Sequence, residues 1–445
     1  MIFSPIEVDI ASLPGASETV IWRDFLECRL PIRPGFAEIE RIAELSAALK
    51  QISFPSSAVD LPPGSVAVIV NYYAGFFGGP LSQLLKCLTA IKVCAEFEKR
   101  GVAAVTVCRV CRDAPPRFST NEINLLDRRS KLHCLKADIE EITKTPVLPE
   151  TRASSPHFSR ICGQDARAPG GFAITSIERI FPDGDSEAIS ALKEAFASDA
   201  NSVSSCVRWL NCLLKDFGVI AAQYDLFTMD QNTRNSEHHS LQQSRMLPVA
   251  AFVVDTAEIA EYVNALSGRE RGGLNRPLVW PSPDVTITNA RSLKTLKRYG
   301  LDFAMLFNGQ ERVMDYARET MKSNVPARLQ KLKDETAAIL DELKTAASAG
   351  ACGERSERIR KSRCEKIIYQ LEKIRRHSSG ALAEKEKAAE NRIGKACDFL
   401  APRGCRQSDV LCGAQIPIYY GRSGLRALYE HIDITRPNHQ LIEMD

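Results

Sequence analysis

No stretch of the 445-residue chain comes near the roughly 18 uninterrupted apolar residues that a bilayer-spanning helix needs. Nothing in it reads as a membrane segment. Net charge is also scarce: 58 Lys and Arg against 55 Asp and Glu leave a formal +3, too little to draw the whole chain to nucleic acid or an anionic surface. The start, MIFSPIEVDIASLPG, lacks the basic segment followed by an apolar one that marks a secretory leader. The expectation is a cytoplasmic protein with neither nucleic acid nor membrane as partner.

Clustered cysteines are missing too. The fourteen run from Cys28 to Cys412, and Cys87, Cys94, Cys206 and Cys212 lie in apolar or helical stretches, where buried free thiols are expected rather than a disulfide framework. Cys108 and Cys111 form the one close pair, with only His133 and His157 near them in sequence. A structural zinc site wants a second pair or nearby histidines. On a strand, residues three apart face opposite sides, which also argues against a redox pair. No cluster has metal-ligand spacing, and the adjacent His238 and His239 sit in a polar loop, where solvent is their expected environment.

What is present is an ordinary globular balance, 44% hydrophobic and 25% charged, in a chain long enough for about two to four domains. Residues 36–50 carry a helical apolar period and are followed by the linker SFPSSAVDLPPG. Residues 65–70, SVAVIV, form a short continuous apolar run, as in a parallel strand buried on both faces. A glycine turn (Gly75, Gly78, Gly79) follows, then a helix opened by Pro80 over 81–99, with Leu81, Leu84, Leu85, Leu88, Ile91 and Ala95 on one face. Gly101 ends it, and a strand over 102–110 completes a βαβ unit.

Further on, 121–139 reads as a hairpin about 127–130, and 151–173 is turn-rich. Helices are expected at 186–198 and at 203–217, the latter stopped by Gly218. A strand covers 249–254, with Thr256 as N-cap of a helix through 266; 277–288 is extended, and a helix at 291–299 ends at Gly300. This alternation predicts an α/β fold, a Rossmann-like doubly wound core.

Residues 326–400 turn to Lys, Arg, Glu, Ala and Leu. Leu329, Leu332, Thr336, Ile339 and Leu343, then Ile367, Leu371 and Ile374, recur at three- and four-residue steps, with a turn at 349–353 between. Two antiparallel helices, a coiled-coil hairpin arm, are expected. Interleaved acids such as Glu335, Asp341, Glu372, Glu384 and Glu386 make its charged face a solvated one rather than a grip on nucleic acid. The same apolar seam is satisfied by a hairpin folded on itself or by pairing in a homodimer. The expected division is a core at 1–325 with an insertion at 151–247, the arm at 326–400, and a helical segment at 401–445 that packs back on the core.

The glycine turn stands where a strand tip meets a helix N-terminus, so its amides suit a phosphate or carboxylate. Tight strand-to-helix turns need glycine anyway. Taken with its surroundings, the run AGFFGGPLSQLLKCLTAIKVCAEFEKRGVAAVTV resembles the BshC family of bacillithiol biosynthesis, whose motif is of the type T-G-Q-Q-x-G-L-x-G-G-P-L. NEINLLDRRSKLHCL, MLPVAAFVVDTAEIAEYVNAL, PLVWPSPDVTITNARSLKTLKRYGLDFAMLF, KIIYQLEKI and APRGCRQSDVLCGAQIPIYYGRSGLRALYEHI continue the likeness in order.

That resemblance implies a cysteine ligase joining cysteine to the amino group of glucosaminyl-malate. Amide formation needs an activated carboxylate, which implies ATP or another phosphate donor, although no residue fixes that cofactor. On this reading Asn71, Gly75, Gly78 and Gly79 bind the anionic group. Asp113 and Glu122 are the acid/base or cation-binding candidates, and Asn124 is an orienting amide. The departures are equally specific. T-G-Q-Q is replaced by Val70, Asn71, Tyr72 and Tyr73, and an acidic, histidine-bearing cluster by CRDAPPRFST. A W-P-R element becomes Trp280, Pro281 and Ser282, an L-Q-E-R element falls at residues 405–409, and the region 218–247 is shortened. Two other readings stay open: a catalytically silent paralogue that binds a ligand or partner, and a site rebuilt with Tyr72 and Tyr73 as a stacking pocket.

Overall fold

The computed structural model describes residues 65–111, 122–136, 176–196, 202–223, 249–255, 258–259, 262, 277–321, 325–348, 354–436 and 439–444. The helix read at 36–50, the linker after it, Asp113, the turn-rich 151–173, His157, His238, His239, Thr256 and the turn at 349–353 lie outside these residues. Two compact units divide the chain, Met1–Ala290 with Asp398–Asp445, and Arg291–Cys397.

The first unit is built on β1 (Val66–Tyr73), whose first five residues are all buried, as its unbroken apolar run requires. The strand runs three residues past the apolar stretch, so Asn71, Tyr72 and Tyr73 lie at its carboxyl tip. A 3-10 turn at Phe76–Gly78 leads to α1 (Leu81–Glu98), with Pro80 as the extended residue just before it. This helix is buried nearly all round, Gln83, Lys86 and Thr89 included, rather than along one stripe. A helix enclosed on most sides gives its polar residues no water, so each must find a partner in the protein.

β2 (Ala104–Cys111) pairs with β1 in parallel. β3 (Glu122–Leu126) and β4 (Leu132–Lys136) form the expected antiparallel hairpin, closed by Asp127, whose Oδ1 accepts the Arg129 and Lys131 amides. α2 (Ser186–Ala195) is N-capped by Asp185, and α3 (Ser202–Leu213) runs into a short 3-10 turn ended by left-handed Gly218. β5 (Ile220–Gln223), β6 (Val249–Val254) and β7 (Leu278–Pro281) complete a five-stranded sheet in the order β5-β2-β1-β6-β7, with all neighbouring strands parallel. The chain adds β2 and β5 on one side of β1, then returns to add β6 and β7 on the other. β1 and β6 therefore lie side by side with their carboxyl ends together, at the point where the strand order reverses.

After β8 (Val285–Thr288) the chain enters the second unit: α4 (Ala290–Tyr299), a 3-10 segment, α5 (Gln310–Met321), α6 (Val325–Ser348) and α7 (Glu354–Leu400). Lys333 of α6 and Glu372 of α7 pair at 3.0 Å. Leu332, Ile339, Ile367 and Ile374, all read as part of an apolar seam, are between 47% and 55% exposed. Leu329, Thr336 and Leu371 are less exposed. A straight helix of 3.6 residues per turn cannot bury every position of a three-and-four pattern on one narrow line.

Back in the first unit, α8 (Gln407–Val410), α9 (Gln415–His431) and β9 (Gln440–Glu443) close the chain, and β9 pairs in parallel with β8. Gln407, 1% exposed, accepts the Ile287 amide and donates to the Ile287 and Phe399 carbonyls. Asp284 gathers this end of the fold: His439 Nδ1 lies 2.9 Å from its Oδ2, Ser408 Oγ donates to its Oδ1, and Arg406 pairs at 3.4 Å. Burial would raise this carboxyl, but the hydrogen bond and charge of His439, then Ser408 and Arg406, leave it below its usual range.

A depressed folded-state pKa stabilises the fold above the unfolded value, and that contribution is lost as pH falls through the folded value. Replacing Asp284 with Asn is expected to cost about 1–3 kcal/mol at neutral pH. The gap between wild type and variant is expected to narrow below about pH 4. Urea denaturation of both proteins across that range measures it.

Candidate functional site

The tip of β1 carries a buried network of charged and polar groups. Asn71 is in register with Arg109 of β2, and its Oδ1 accepts from Arg109 Nε at 3.0 Å and from Nη2. Its Nδ2 donates to the Tyr262 hydroxyl, and its backbone carbonyl accepts from Lys86 Nζ at 2.8 Å. The half-buried Asn71 amide is thus clamped on every polar atom of its side chain.

Lys86, 0% exposed, pairs with Glu258, 2% exposed, at 3.2 Å. Glu258 in turn forms a capping box with Asp255: the Glu258 amide donates to Asp255 Oδ1 at 3.1 Å, and the Asp255 amide donates to Glu258 Oε2 at 3.0 Å. The two reciprocal bonds tie Asp255, at the end of β6, to Glu258 three residues on. Tyr73 leans over Lys86, its ring centroid 5.0 Å from Nζ. Burial, then the nearby Glu258 charge, pushes the Tyr73 phenol far up, so it stays a proton donor to that carboxylate. Lys86 and Arg109 thus face the carboxylates of Glu258 and Asp255 under the strand tips.

Next to this network lies the glycine turn. A Cβ on Gly75 would fall 2.7 Å from Gly79 Cα, and Gly78 and Gly79 have φ of +86° and +68°. All three positions therefore demand glycine on steric grounds. The turn is closely packed. The Tyr72 hydroxyl donates to the Gly78 carbonyl, the Trp209 indole faces Gly78, and Cys206 Sγ approaches the Gly75 carbonyl at 3.3 Å. Burial pushes the Cys206 thiol up to about 12, so it stands as a neutral packing group.

The segment 411–413 lies along the mouth of α1. Leu81 donates its amide to the Leu411 carbonyl at 2.7 Å, and Gly413 donates to the Gly79 carbonyl at 2.9 Å. Two polar atoms of the first helical turn are different: Ser82 Oγ and Gln83 Nε2 are buried and have no hydrogen-bond partner among the described residues. Gln83 is held in place through its other end, where Oε1 accepts the Tyr73 amide at 3.1 Å.

On the far side of 411–413, Cys412 donates its amide to the Asn124 carbonyl at 2.9 Å. Glu122 and Asn124 sit together on β3 and share one partner: Arg403 Nη1 donates to Glu122 Oε1 at 3.0 Å, and Nη2 to Asn124 Oδ1 at 2.9 Å. Arg403 adopts φ of +59°, a conformation few non-glycine residues take. Among the described residues no three His, Cys, Asp or Glu side chains gather as metal ligands, and no helix is long and apolar enough to cross a membrane.

The structure thus joins Asn71 to Lys86, Arg109, Glu258 and Tyr262, none of which the sequence reading singled out. A signal for Lys86 was present: Gln83, Lys86 and Thr89 recur at three-residue steps on one side of an otherwise apolar helix. The D-x-x-E word after β6 was equally legible as a capping box. Arg109 was hidden, because an arginine inside an apolar strand gives no hint of which tip residue it meets.

A parallel α/β protein with a buried cation–carboxylate cluster at the carboxyl ends of its central strands is the class that this fold and site define. No family profile matches the chain. It is similar to the protein named "Putative cysteine ligase BshC" from Solibacter usitatus (strain Ellin6076), at 22% identity over 91% of this chain and 90% of that one. The protein of the same name from Salinibacter ruber (strain DSM 13855 / M31) is 25% identical over 38% of this chain and 31% of its own length. Both relatives carry the same name, and over nearly its whole length the chain is similar, at low identity, to a protein named as a putative cysteine ligase BshC.

Removing one partner of a fully buried ion pair strands the other charge. Glu258→Leu is expected to lower the unfolding free energy by about 3–5 kcal/mol, and adding Lys86→Met to recover most of that loss. A double-mutant cycle by urea denaturation measures both terms.

Proposed function

We propose that the chain is a cysteine ligase that adds cysteine to the amino group of glucosaminyl-malate, acting in the cytoplasm on small molecules. The observation that carries this reading is the pair of unpartnered buried groups, Ser82 Oγ and Gln83 Nε2, in the first turn of α1. They follow the glycine turn Gly75, Gly78 and Gly79, and Gln83 is tied through Oε1 to the Tyr73 amide, two residues past Asn71 on β1. A buried donor left without a partner costs free energy, which a bound carboxylate or phosphate oxygen would recover. Glu122 is then the acid/base group and Asn124 the orienting amide, with Asp113 the second carboxylate. The reaction needs an activated carboxylate, so ATP or another phosphate donor is the proposed co-substrate.

Architecture supports the same reading. Numbered along the chain, the five parallel strands take the order 3-2-1-4-5, as the first five strands of a Rossmann-like doubly wound sheet do. The arm, α6 with α7, is proposed as an antiparallel coiled coil. Its half-exposed Leu332, Ile339, Ile367 and Ile374 fit burial against a second copy, so a homodimer is proposed.

A second reading, a catalytically silent BshC-like paralogue that binds a ligand or partner, is favoured by one specific observation. The Leu81 amide at the helix mouth is already used by the Leu411 carbonyl, and Arg403 already holds Glu122 and Asn124.

Incubation with cysteine, glucosaminyl-malate and ATP is expected to yield the amide, detected by mass. No product above a no-enzyme control, together with a ligand-induced rise in melting temperature, would leave only the silent reading. Ser82→Ala is expected to leave stability within about 0.5 kcal/mol of wild type while diminishing the melting shift that ATP or glucosaminyl-malate produces. Ile339→Glu with Ile367→Glu is expected to convert a dimer to a monomer in size-exclusion chromatography with light scattering.

A further inference from the structure

Cys87 on α1 and Cys108 on β2 meet across the helix–sheet layer, their sulfur atoms 3.2 Å apart. Neither residue has exposed surface. Both are free thiols. Each stands next in sequence to one of the two buried cations: Cys87 follows Lys86, and Cys108 precedes Arg109. The pair thus connects the two backbone segments that hold Asn71 in place.

We infer that Cys87 and Cys108 are a dithiol that a small peroxide oxidises to an intramolecular disulfide, and that closing this bond disturbs the hold of Lys86 and Arg109 on Asn71. In the first step one sulfur attacks the peroxide, the O–O bond breaks, and a sulfenic acid and one water form. The second sulfur then displaces the hydroxyl, the S–S bond forms, and a second water leaves. Two thiol hydrogens and two electrons pass to one hydrogen peroxide, which becomes two waters.

A disulfide brings its sulfurs to about 2.05 Å and its Cα atoms to roughly 4.4–6.8 Å. From 3.2 Å the sulfurs must approach by more than 1 Å. In a close-packed layer such a shift moves neighbouring backbone as well as side chains. Lys86 and Arg109, one residue away on either side, are carried with it. The Cys108 thiol is held above its ordinary value, first by its hydrogen bond with Cys87 and then by burial, while the Lys86 charge opposes that rise. The charge of the cation cluster therefore already reaches the thiol pair. The same burial keeps the thiolate scarce, so this oxidation is slow compared with that of the exposed Cys134 and Cys405.

The test uses the full chain treated with hydrogen peroxide, its remaining thiols alkylated, then digested with trypsin without reductant. Cleavage after Lys86, Lys92, Arg100 and Arg109 releases residues 87–92 and 101–109. These two peptides are expected as one linked species, two hydrogen masses below their sum, that a thiol reductant separates. Peroxide is also expected to move the melting temperature by at least about 2 °C, reversibly on reduction. Cys87→Ala, a substitution that suits a helix, is expected to abolish both effects; Cys108→Val serves if that variant does not fold. Recovery of both peptides unlinked from folded, oxidised protein overturns the inference. So does an identical melting shift in Cys87→Ala. A linked peptide with no melting shift overturns the coupling to the cation cluster.

Discussion

Two cations have no exposed surface at the carboxyl tips of a parallel sheet, and the rest of the first unit is arranged so that they can be there. An unpaired buried ammonium or guanidinium is far too costly to keep. Lys86 is compensated by Glu258, four residues past the end of β6, and from β1 by the Asn71 carbonyl, and Arg109 takes the Asn71 side chain. One network therefore pins α1, β1, β2 and the residues just after β6 to one another. The polar demand of a nearly all-buried helix becomes the device that sets the geometry of the strand tips.

The adjacent glycine turn obeys a different constraint, that of space. Gly75 and Gly79 approach so closely that a methyl group cannot stand between them, and Gly78 faces the Trp209 indole. Into the same neighbourhood the chain returns from far downstream. Residues 411–413 bond to the turn on one side and to Asn124 on the other, so the hairpin β3–β4 and the helix mouth are joined through a segment some three hundred residues away in sequence. Buried thiols at Cys206 and Cys412 fill what remains, each pushed up to about 12 by burial and so uncharged.

Much of the secondary structure was legible. The strand at Val249–Val254 was bounded to the residue by its apolar run, and the hairpin turn at 127–130 announced itself through Asp127. The helix stops at Gly218 and Gly300 followed from the left-handed backbone that glycine accepts. Misreadings have equally physical causes. Period alone made α1 amphipathic, because period cannot tell a half-buried helix from one enclosed by later strands. Glu122 and Asn124 were picked out as site residues, but their partner Arg403 lies in a 3-10 turn that no local pattern ties to β3.

Sequence alone determined the local elements, since strand runs, helix stops and glycine turns depend on near neighbours and on backbone sterics. It also pointed to free thiols, as the ten cysteines among the described residues are, because their spacing fits apolar faces rather than cross-links. Only the tertiary structure decided which charges meet. Lys86 and Glu258 are 172 residues apart, and Asn71 and Tyr262 are 191 apart. Electrostatic pairing of buried groups acts through space, and strand order, not chain order, sets that distance.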